Sequence, residues 1–112
     1  MPRDLLQPFF YGSFVDREII AADTAMAADL WLNGGAAGAV FGYTSRAAAT
    51  ISVPVFLGFG EQDASPSPHQ EPAAYSQSAD VTLFVLPRSA HCHNFAPTRK
   101  QLWDRMIAWL AS

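Results

Sequence analysis

The sequence has few cysteines, few charges and no long apolar run, and each shortage excludes a class of protein. Cys92 is the single cysteine among 112 residues, so no disulfide can form within the chain. No apolar stretch approaches the roughly 18 residues of a transmembrane helix, and no basic segment followed by an apolar one opens the sequence. These absences predict no membrane partner and no need of an oxidising compartment, so cytoplasmic localisation is the expectation.

The charged residues are nearly balanced between the two signs. Lys and Arg together number 7, Asp and Glu together number 10, and the formal net charge at pH 7 is −3. A chain without a basic patch offers no favourable surface to phosphates, so nucleic acid is not an expected partner. The hydrophobic content of 50% is typical of a globular chain with a core, and the length allows one domain at most.

Two short apolar runs in the second half of the sequence predict strands of a parallel sheet. Residues 53–59 (VPVFLGF) and residues 81–86 (VTLFVL) are apolar at nearly every position. A run that is apolar on both faces is typical of a strand covered by helices on both sides. Gly60 and Pro87 are expected to end the first and the second strand.

The segment between these runs predicts a short crossover helix over residues 67–78. Ser67 is a candidate N-cap, Pro68 suits the first helical position, and Gln70 completes the spacing of a capping box. Pro72 limits this helix to a short or kinked one. Strand, helix and strand form a βαβ unit, whose crossover is expected to be right-handed.

Residues 99–110 carry the clearest helical pattern in the sequence. Thr98 is the candidate N-cap of this helix. The apolar residues recur with the 3.6-residue period of an amphipathic helix and form one broad stripe: Leu102, Trp103, Met106, Ile107, Trp109 and Leu110. Charged residues occupy the opposite face, so the stripe is expected to be core packing, built to cover a larger sheet than this chain can form.

The first half of the sequence predicts helices with weaker patterns. Asp16 can cap a helix that runs to about Leu32, where Asn33-Gly34-Gly35 is a strong stop. Residues 36–49 predict a further helix, weakened by two glycines. These glycines do not form a phosphate-binding loop, because no strand precedes them and no Gly-Lys-Ser/Thr follows.

Polar residues that could carry chemistry follow the two predicted strands. Glu61 and Asp63 come at the end of the first strand, and His91 and His93 follow the second. The carboxyl ends of adjacent parallel strands meet at one edge of a sheet, where ligands and catalytic groups gather. A carboxylate beside an imidazole is the acid–base pair of a hydrolytic triad. The order and spacing leave either carboxylate and either histidine as candidates.

Both loops resemble those of the α/β-hydrolase fold. Residues 51–63 (ISVPVFLGFGEQD) are similar to its seventh strand and acid turn, and residues 84–91 (FVLPRSAH) resemble its last strand and histidine loop. The helix from Arg99 resembles the family's C-terminal helix, and the acid precedes the histidine as in that family. The resemblance extends from residue 51 to the end and implies that Asp63 is the triad acid and His91 its base.

The nucleophile of that family has no counterpart in this sequence. Its serine lies in Gly-x-Ser-x-Gly on a strand-to-helix elbow, and the nearest triplet here, Gly12-Ser13-Phe14, lacks the second glycine. The glycine-rich oxyanion loop is also absent. The resemblance therefore implies an α/β fold made of a helical segment (residues 1–50), which is either lid-like or a late helix of the fold, and the C-terminal βαβα part (residues 51–112). It implies that the earlier strands, and the serine, lie outside this sequence.

Ester or related acyl hydrolysis is the function that this resemblance implies, with a small-molecule acyl substrate once the missing half is supplied. We expect no activity from the chain alone. Neither a cofactor nor a metal is expected, because His69, His91, Cys92 and His93 lack the spacing of metal ligands. The alternative is a non-catalytic fragment or interaction module that associates through exposed strand edges, in which case the isolated chain should self-associate or be poorly stable.

Overall fold

The computed structural model describes residues 3–27 and 44–112. In the first range, a 3-10 helix (Arg3–Leu6) leads into helix α1 (Gln7–Tyr11), which is followed by helix α2 (Arg17–Met26). The second range contains helix α3 (Ser45–Ala48), strand β1 (Val55–Gln62), a 3-10 helix (Pro68–Ala74), strand β2 (Val81–Ala90), a 3-10 helix (His93–Phe95) and helix α4 (Arg99–Ala111). None of the helices described here is long and apolar enough to cross a membrane.

Strands β1 and β2 pair in parallel, and the chain therefore has α/β character, as the apolar runs predict. The register runs from Val55 opposite Val81 to Gly60 opposite Leu86. Within the two described ranges the sheet contains these two strands, so each strand has one edge with no neighbouring strand. Whether the pair belongs to a larger α/β-hydrolase sheet, with a lid before it, stays a prediction.

Both strands are longer than predicted, because the residues expected to end them lie inside a bulge. Gly60 and Pro87 do not stop the strands, which continue to Gln62 and Ala90. The register shifts after Gly60 so that Gln62 lies opposite Ala90, and Glu61 faces three residues of β2. Proline is tolerated there because a bulge interrupts the ladder of hydrogen bonds that would need its missing N–H.

Close backbone approach shapes this bulge. A Cβ atom on Gly60 would lie 2.4 Å from the carbonyl oxygen of Ala90 and 2.8 Å from that of Ser89, so only glycine fits. Arg88 has a positive φ of 52°, an uncommon conformation for a residue other than glycine. Its backbone N–H donates to Oε2 of Glu61 at 2.7 Å, and this bond pairs an amide that the interrupted ladder leaves free.

The crossover between the strands is a 3-10 helix, and the predicted capping box is absent. Ser67 precedes the helix but its side chain makes no cap bond. Instead its carbonyl oxygen accepts the N–H of Gln70 at 3.0 Å, the i to i+3 bond of a 3-10 turn. Pro72 lies inside the helix and cannot donate a backbone hydrogen bond, which is why the segment stays short.

Helix α4 covers one face of the sheet through a small core. Leu102 is 2% exposed and packs with Leu86 and Ala96, and the half-buried rings of Phe56 and Phe84 lie against this cluster. The strand residues involved share one face because side chains alternate along a strand. The predicted helix over residues 99–110 is therefore present, and it packs on the sheet through a part of its stripe.

Most of the remaining apolar stripe of α4 is exposed, although Trp109 is half-buried with its ring 5.7 Å from that of Phe56. Thr98 occupies the predicted N-cap position, but its side chain makes no cap bond; its hydroxyl donates to the carbonyl oxygen of Pro87 at 2.6 Å and ties the helix start to the bulge. Large apolar side chains of α4 remain open to solvent: Trp103, Met106, Ile107 and Leu110. This exposure fits the expectation that the stripe is built for a larger sheet than this chain can form, because the two described strands offer too little area to cover it.

The first-half helices are only partly within the described residues. Helix α2 ends at Met26, because Ala27 adopts an extended backbone with ψ of 145°, so it is shorter than the predicted helix to about residue 32. Of the helix predicted over residues 36–49, the described part contains α3. The stop predicted at residues 33–35 lies outside the described residues.

Candidate functional site

Asp63 and His91 meet where the two strands end. Asp63 directly follows β1 and His91 directly follows β2. The Nδ1 atom of His91 lies 2.7 Å from Oδ1 of Asp63, a short hydrogen bond. The contact predicted from their positions is therefore present, while the catalytic role of the two residues stays a prediction.

The carboxylate of Asp63 is held by three donors. Besides His91, the backbone N–H of Ala64 donates to Oδ1 at 2.6 Å, and that of Gly60 donates to Oδ2 at 2.9 Å. The Asp63 side chain is only 7% exposed. Because both oxygens accept bonds from fixed partners, the carboxylate has one orientation. An ionised carboxylate only accepts, so Nδ1 of His91 carries a proton, and Nε2 of the neutral ring is the free acceptor.

The electrostatics of the pair favour its charged form. Burial raises the pKa of Asp63, but the hydrogen bond from His91 and those from the backbone of Gly60 and Ala64 outweigh it, and the net pKa lies below its ordinary value. The hydrogen bond to Asp63 raises the pKa of His91. Partial burial lowers that pKa by less, so the net pKa lies above its ordinary value. Each group thus stabilises the charge of the other, as an orienting acid does for a catalytic imidazole.

The side chain of His91 is half exposed, and its second ring nitrogen has no partner among the described residues. The His91 side chain is 50% exposed, although its Nδ1 side is turned toward Asp63. Within residues 3–27 and 44–112, no side chain or backbone group hydrogen-bonds Nε2. A hydroxyl group brought to this edge from elsewhere could therefore reach an unprotonated imidazole nitrogen.

Glu61, the alternative acid, lies in a different environment. Its carboxylate accepts the backbone N–H of Arg88 at 2.7 Å, within the bulge of β2. This bond gives Glu61 a structural role two residues before the acid that contacts the imidazole. The structure thus brings Asp63 rather than Glu61 to His91.

His93, the alternative base, does not reach the carboxylate. The hydrogen-bond donors to Asp63 among the described residues are His91, Gly60 and Ala64. His93 begins the 3-10 helix after β2, and its Nδ1 atom is buried without a protein partner in the part of the chain described. In that same part, no group of three or more His, Cys, Asp or Glu residues is placed to hold a metal ion.

Helix α1 contacts the histidine, a feature that the sequence analysis missed. The backbone N–H of His91 donates to the carbonyl oxygen of Phe9 at 3.2 Å, and that of Cys92 donates to Phe10 at 2.7 Å. The ring centroids of Phe9 and Phe10 lie 5.8 and 6.0 Å from that of the imidazole. The signal available in the sequence was the aromatic run Phe-Phe-Tyr followed by glycine.

Tyr11 connects this helix to its surroundings. Its buried hydroxyl donates to Oδ2 of Asp23 in α2, and its ring centroid lies 6.3 Å from that of Phe95 in the 3-10 helix after β2. Gly12 then turns the chain with a φ of +59°, and a Cβ there would lie 3.3 Å from that of Ala90. The first segment of the chain is therefore packed against the end of β2.

No serine among the described residues hydrogen-bonds the imidazole of His91. Ser13 is exposed and follows a helix, whereas a nucleophile elbow follows a strand. Ser89 is buried, and its hydroxyl donates to the carbonyl oxygen of Ala90. The site consists of an oriented acid and an accessible imidazole.

No match to this chain is found among models of known protein families, among curated proteins or among solved structures. The geometry of the pair itself defines what chemistry these residues can do. A carboxylate that fixes an imidazole, whose second nitrogen is open, can take up a proton at that nitrogen and return it. General acid–base catalysis is the reaction type available to such a pair.

Proposed function

We propose that this chain is the acid and histidine part of an α/β-hydrolase that cleaves esters or related acyl compounds. The observation that carries the proposal is the 2.7 Å bond between Asp63 and His91 at the adjoining ends of two parallel strands. The resemblance of the two loops to that family supports the same assignment. A small-molecule acyl compound is the proposed substrate, and the serine comes from sequence outside these 112 residues.

Each residue has one role in the proposed reaction. Nε2 of His91 takes the proton of the serine hydroxyl as its oxygen attacks the carbonyl carbon, and the imidazolium returns that proton to the leaving group. Asp63 keeps Nδ1 protonated and stabilises the imidazolium, without taking the proton itself. The raised pKa of His91 favours the proton-accepting step.

The proposal is tested on the protein made when the coding sequence upstream of residue 1 is included. We expect a serine in that upstream part to react with a fluorophosphonate, and His91→Ala and Asp63→Asn to reduce ester turnover on the order of 10⁴-fold. Glu61→Gln is the matched control, because its amide oxygen can still accept the N–H of Arg88 and turnover should persist. An upstream sequence with no Gly-x-Ser-x-Gly, or full turnover in Asp63→Asn, contradicts the proposal.

A second candidate is a non-catalytic module that binds through its uncovered surfaces. The observation in its favour is the exposed apolar side of α4, which includes Met106, Ile107 and Leu110, together with the open strand edges. In this case Ile107→Lys should convert an associated species to a monomer in sedimentation, while His91→Gln changes nothing. A monomer at every concentration for the unchanged chain excludes self-association.

A further inference from the structure

The end of helix α1 and the loop after β2 complete each other's backbone hydrogen bonds. The last carbonyl groups of a helix have no partner within the helix. In α1 these include the carbonyls of Phe9 and Phe10, which accept the N–H groups of His91 and Cys92 at 3.2 and 2.7 Å. Two consecutive amides are thus paired with two consecutive carbonyls, which fixes the backbone from which the imidazole projects.

Both phenylalanine rings also contact the imidazole itself. The rings of Phe9 and Phe10 are tilted by 34° and 33° to the plane of the His91 ring, at centroid distances of 5.8 and 6.0 Å. Phe10 is buried, whereas Phe9 is 41% exposed and lies at the surface beside the half-exposed imidazole. Contacts at such distances between aromatic rings are favourable and depend on their geometry.

We propose that Phe9 and Phe10 are positioning residues, which hold His91 in the rotamer that points Nδ1 at Asp63 and leaves Nε2 open. A half-exposed imidazole with one hydrogen bond could otherwise rotate into solvent, and water would replace the carboxylate at little cost. The two phenylalanine rings and the paired backbone amides prevent this rotation of the imidazole. The importance of this orientation for catalysis rests on the proposed function, but the orientation itself does not.

The positioning helix is itself anchored. Tyr11, the next residue after the two phenylalanines, is buried and donates to Asp23 of α2, while its ring contacts Phe95. Its ring also lies at 6.2 Å from that of Phe10. A helix of five residues would be marginal alone, so these contacts keep α1 in place against the histidine.

The test is the rate at which the Nδ1 proton of His91 exchanges with water, measured by NMR on the full chain at one pH. The resonance is assigned by its loss in His91→Gln. We expect Phe9→Ala and Phe10→Ala each to speed this exchange about 2- to 10-fold, the range set by one aromatic pair. Phe9→Tyr, which keeps the ring, should retain the slow rate.

Leu5→Ala is the matched control, because Leu5 is an exposed apolar residue of the preceding 3-10 helix. If Phe10→Ala unfolds α1, the amide of Cys92 will lose its protection from hydrogen exchange. The test then rests on Phe9→Ala, because the ring of Phe9 is already partly exposed and its removal should leave α1 folded. Unchanged exchange in Phe9→Ala, or an equal acceleration in Leu5→Ala, overturns the proposal. The readout needs no turnover, so a failure of the proposed hydrolase function leaves this result interpretable.

Discussion

The edge of the sheet where Asp63 and His91 meet, here called the strand-end edge, differs from the outer side of helix α4 in how many of its groups have a contact partner. At the edge, the carboxylate of Asp63 has three donors, and the amides of His91 and Cys92 have partners in α1. On α4, apolar side chains such as Ile107 and Leu110 have no cover in the described structure. The same short chain therefore combines a locally complete acid–imidazole pair with a helix built to face more protein than is described.

This difference separates what local sequence can build from what needs a larger sheet. The pair requires only two strand ends and one short helix, so a small part of a domain suffices for it. Covering an amphipathic helix requires a wide apolar surface, which two strands do not provide. Measurements that perturb one region while reading the other can test this separation.

The largest expected effect is the absence of catalysis by the chain alone. The pair is oriented, but the described residues place no nucleophile at Nε2, and the sequence holds no elbow motif. We expect the chain to hydrolyse an activated acyl ester no faster than the ester hydrolyses in buffer alone, and we expect the same of His91→Gln. Turnover well above buffer that disappears in Ser13→Ala would show that the pair is complete within this chain.

Truncating the anchor of α4 should cost the most stability. Leu102 is 2% exposed in the core cluster, so Leu102→Ala is expected to lower the free energy of unfolding by about 2–5 kcal/mol. Leu110→Ala, on the exposed side of the same helix, should change it by no more than about 0.5 kcal/mol. Chemical denaturation measures both. Equal effects would mean that the outer side of α4 is covered after all.

A methyl group at the bulge should disrupt the strand-end edge. Gly60→Ala places a Cβ 2.4 Å from the carbonyl oxygen of Ala90, and we expect a loss of about 1–3 kcal/mol as the backbones separate. Gly58→Ala is the control, because its Cβ would meet the flexible end of Leu102 at 3.0 Å and should cost less. Denaturation curves that rank the two glycines the other way contradict the bulge.

The pair should make stability depend weakly on pH. The lowered pKa of Asp63 contributes stability that is present above its ordinary value of 3.8 and is lost as pH falls through the folded value. The raised pKa of His91 contributes stability that is present below 6.5 and is lost as pH rises through the folded value. The difference in free energy of unfolding between the wild type and Asp63→Asn should therefore be largest between pH 3.8 and pH 6.5, the ordinary pKa values of the two groups. A difference that is constant across pH would exclude the pair as its source.

The elements with local, periodic signals could be predicted from the sequence. The apolar runs that became β1 and β2 and the helix from Arg99 depend on patterns within a few residues. That a carboxylate after β1 would lie near a histidine after β2 followed from a general property of parallel strands, whose ends share one edge. The choice of Asp63 and His91 among the candidates came from the family resemblance. These features need no knowledge of distant contacts.

The features that were missed depend on contacts across the chain. Gly60 and Pro87 are ordinary strand terminators in isolation, and only the pairing of Glu61 with Arg88 shows that they lie in a bulge. The role of α1 rests on carbonyls that meet the amide of His91, about eighty residues later in the sequence. No periodicity in residues 3–11 could have indicated that meeting.

The measurement that tests the central claim most directly is the pKa of His91, followed by NMR in the wild type and in two carboxylate variants. If Asp63 orients the imidazole and stabilises its protonated form, the raised pKa of His91 should fall in Asp63→Asn and remain unchanged in Glu61→Gln. The two substitutions remove one charge each, two residues apart, and of the two carboxylates only that of Asp63 contacts His91 among the described residues. A pKa that is unmoved in Asp63→Asn, or that falls in Glu61→Gln instead, would contradict the account.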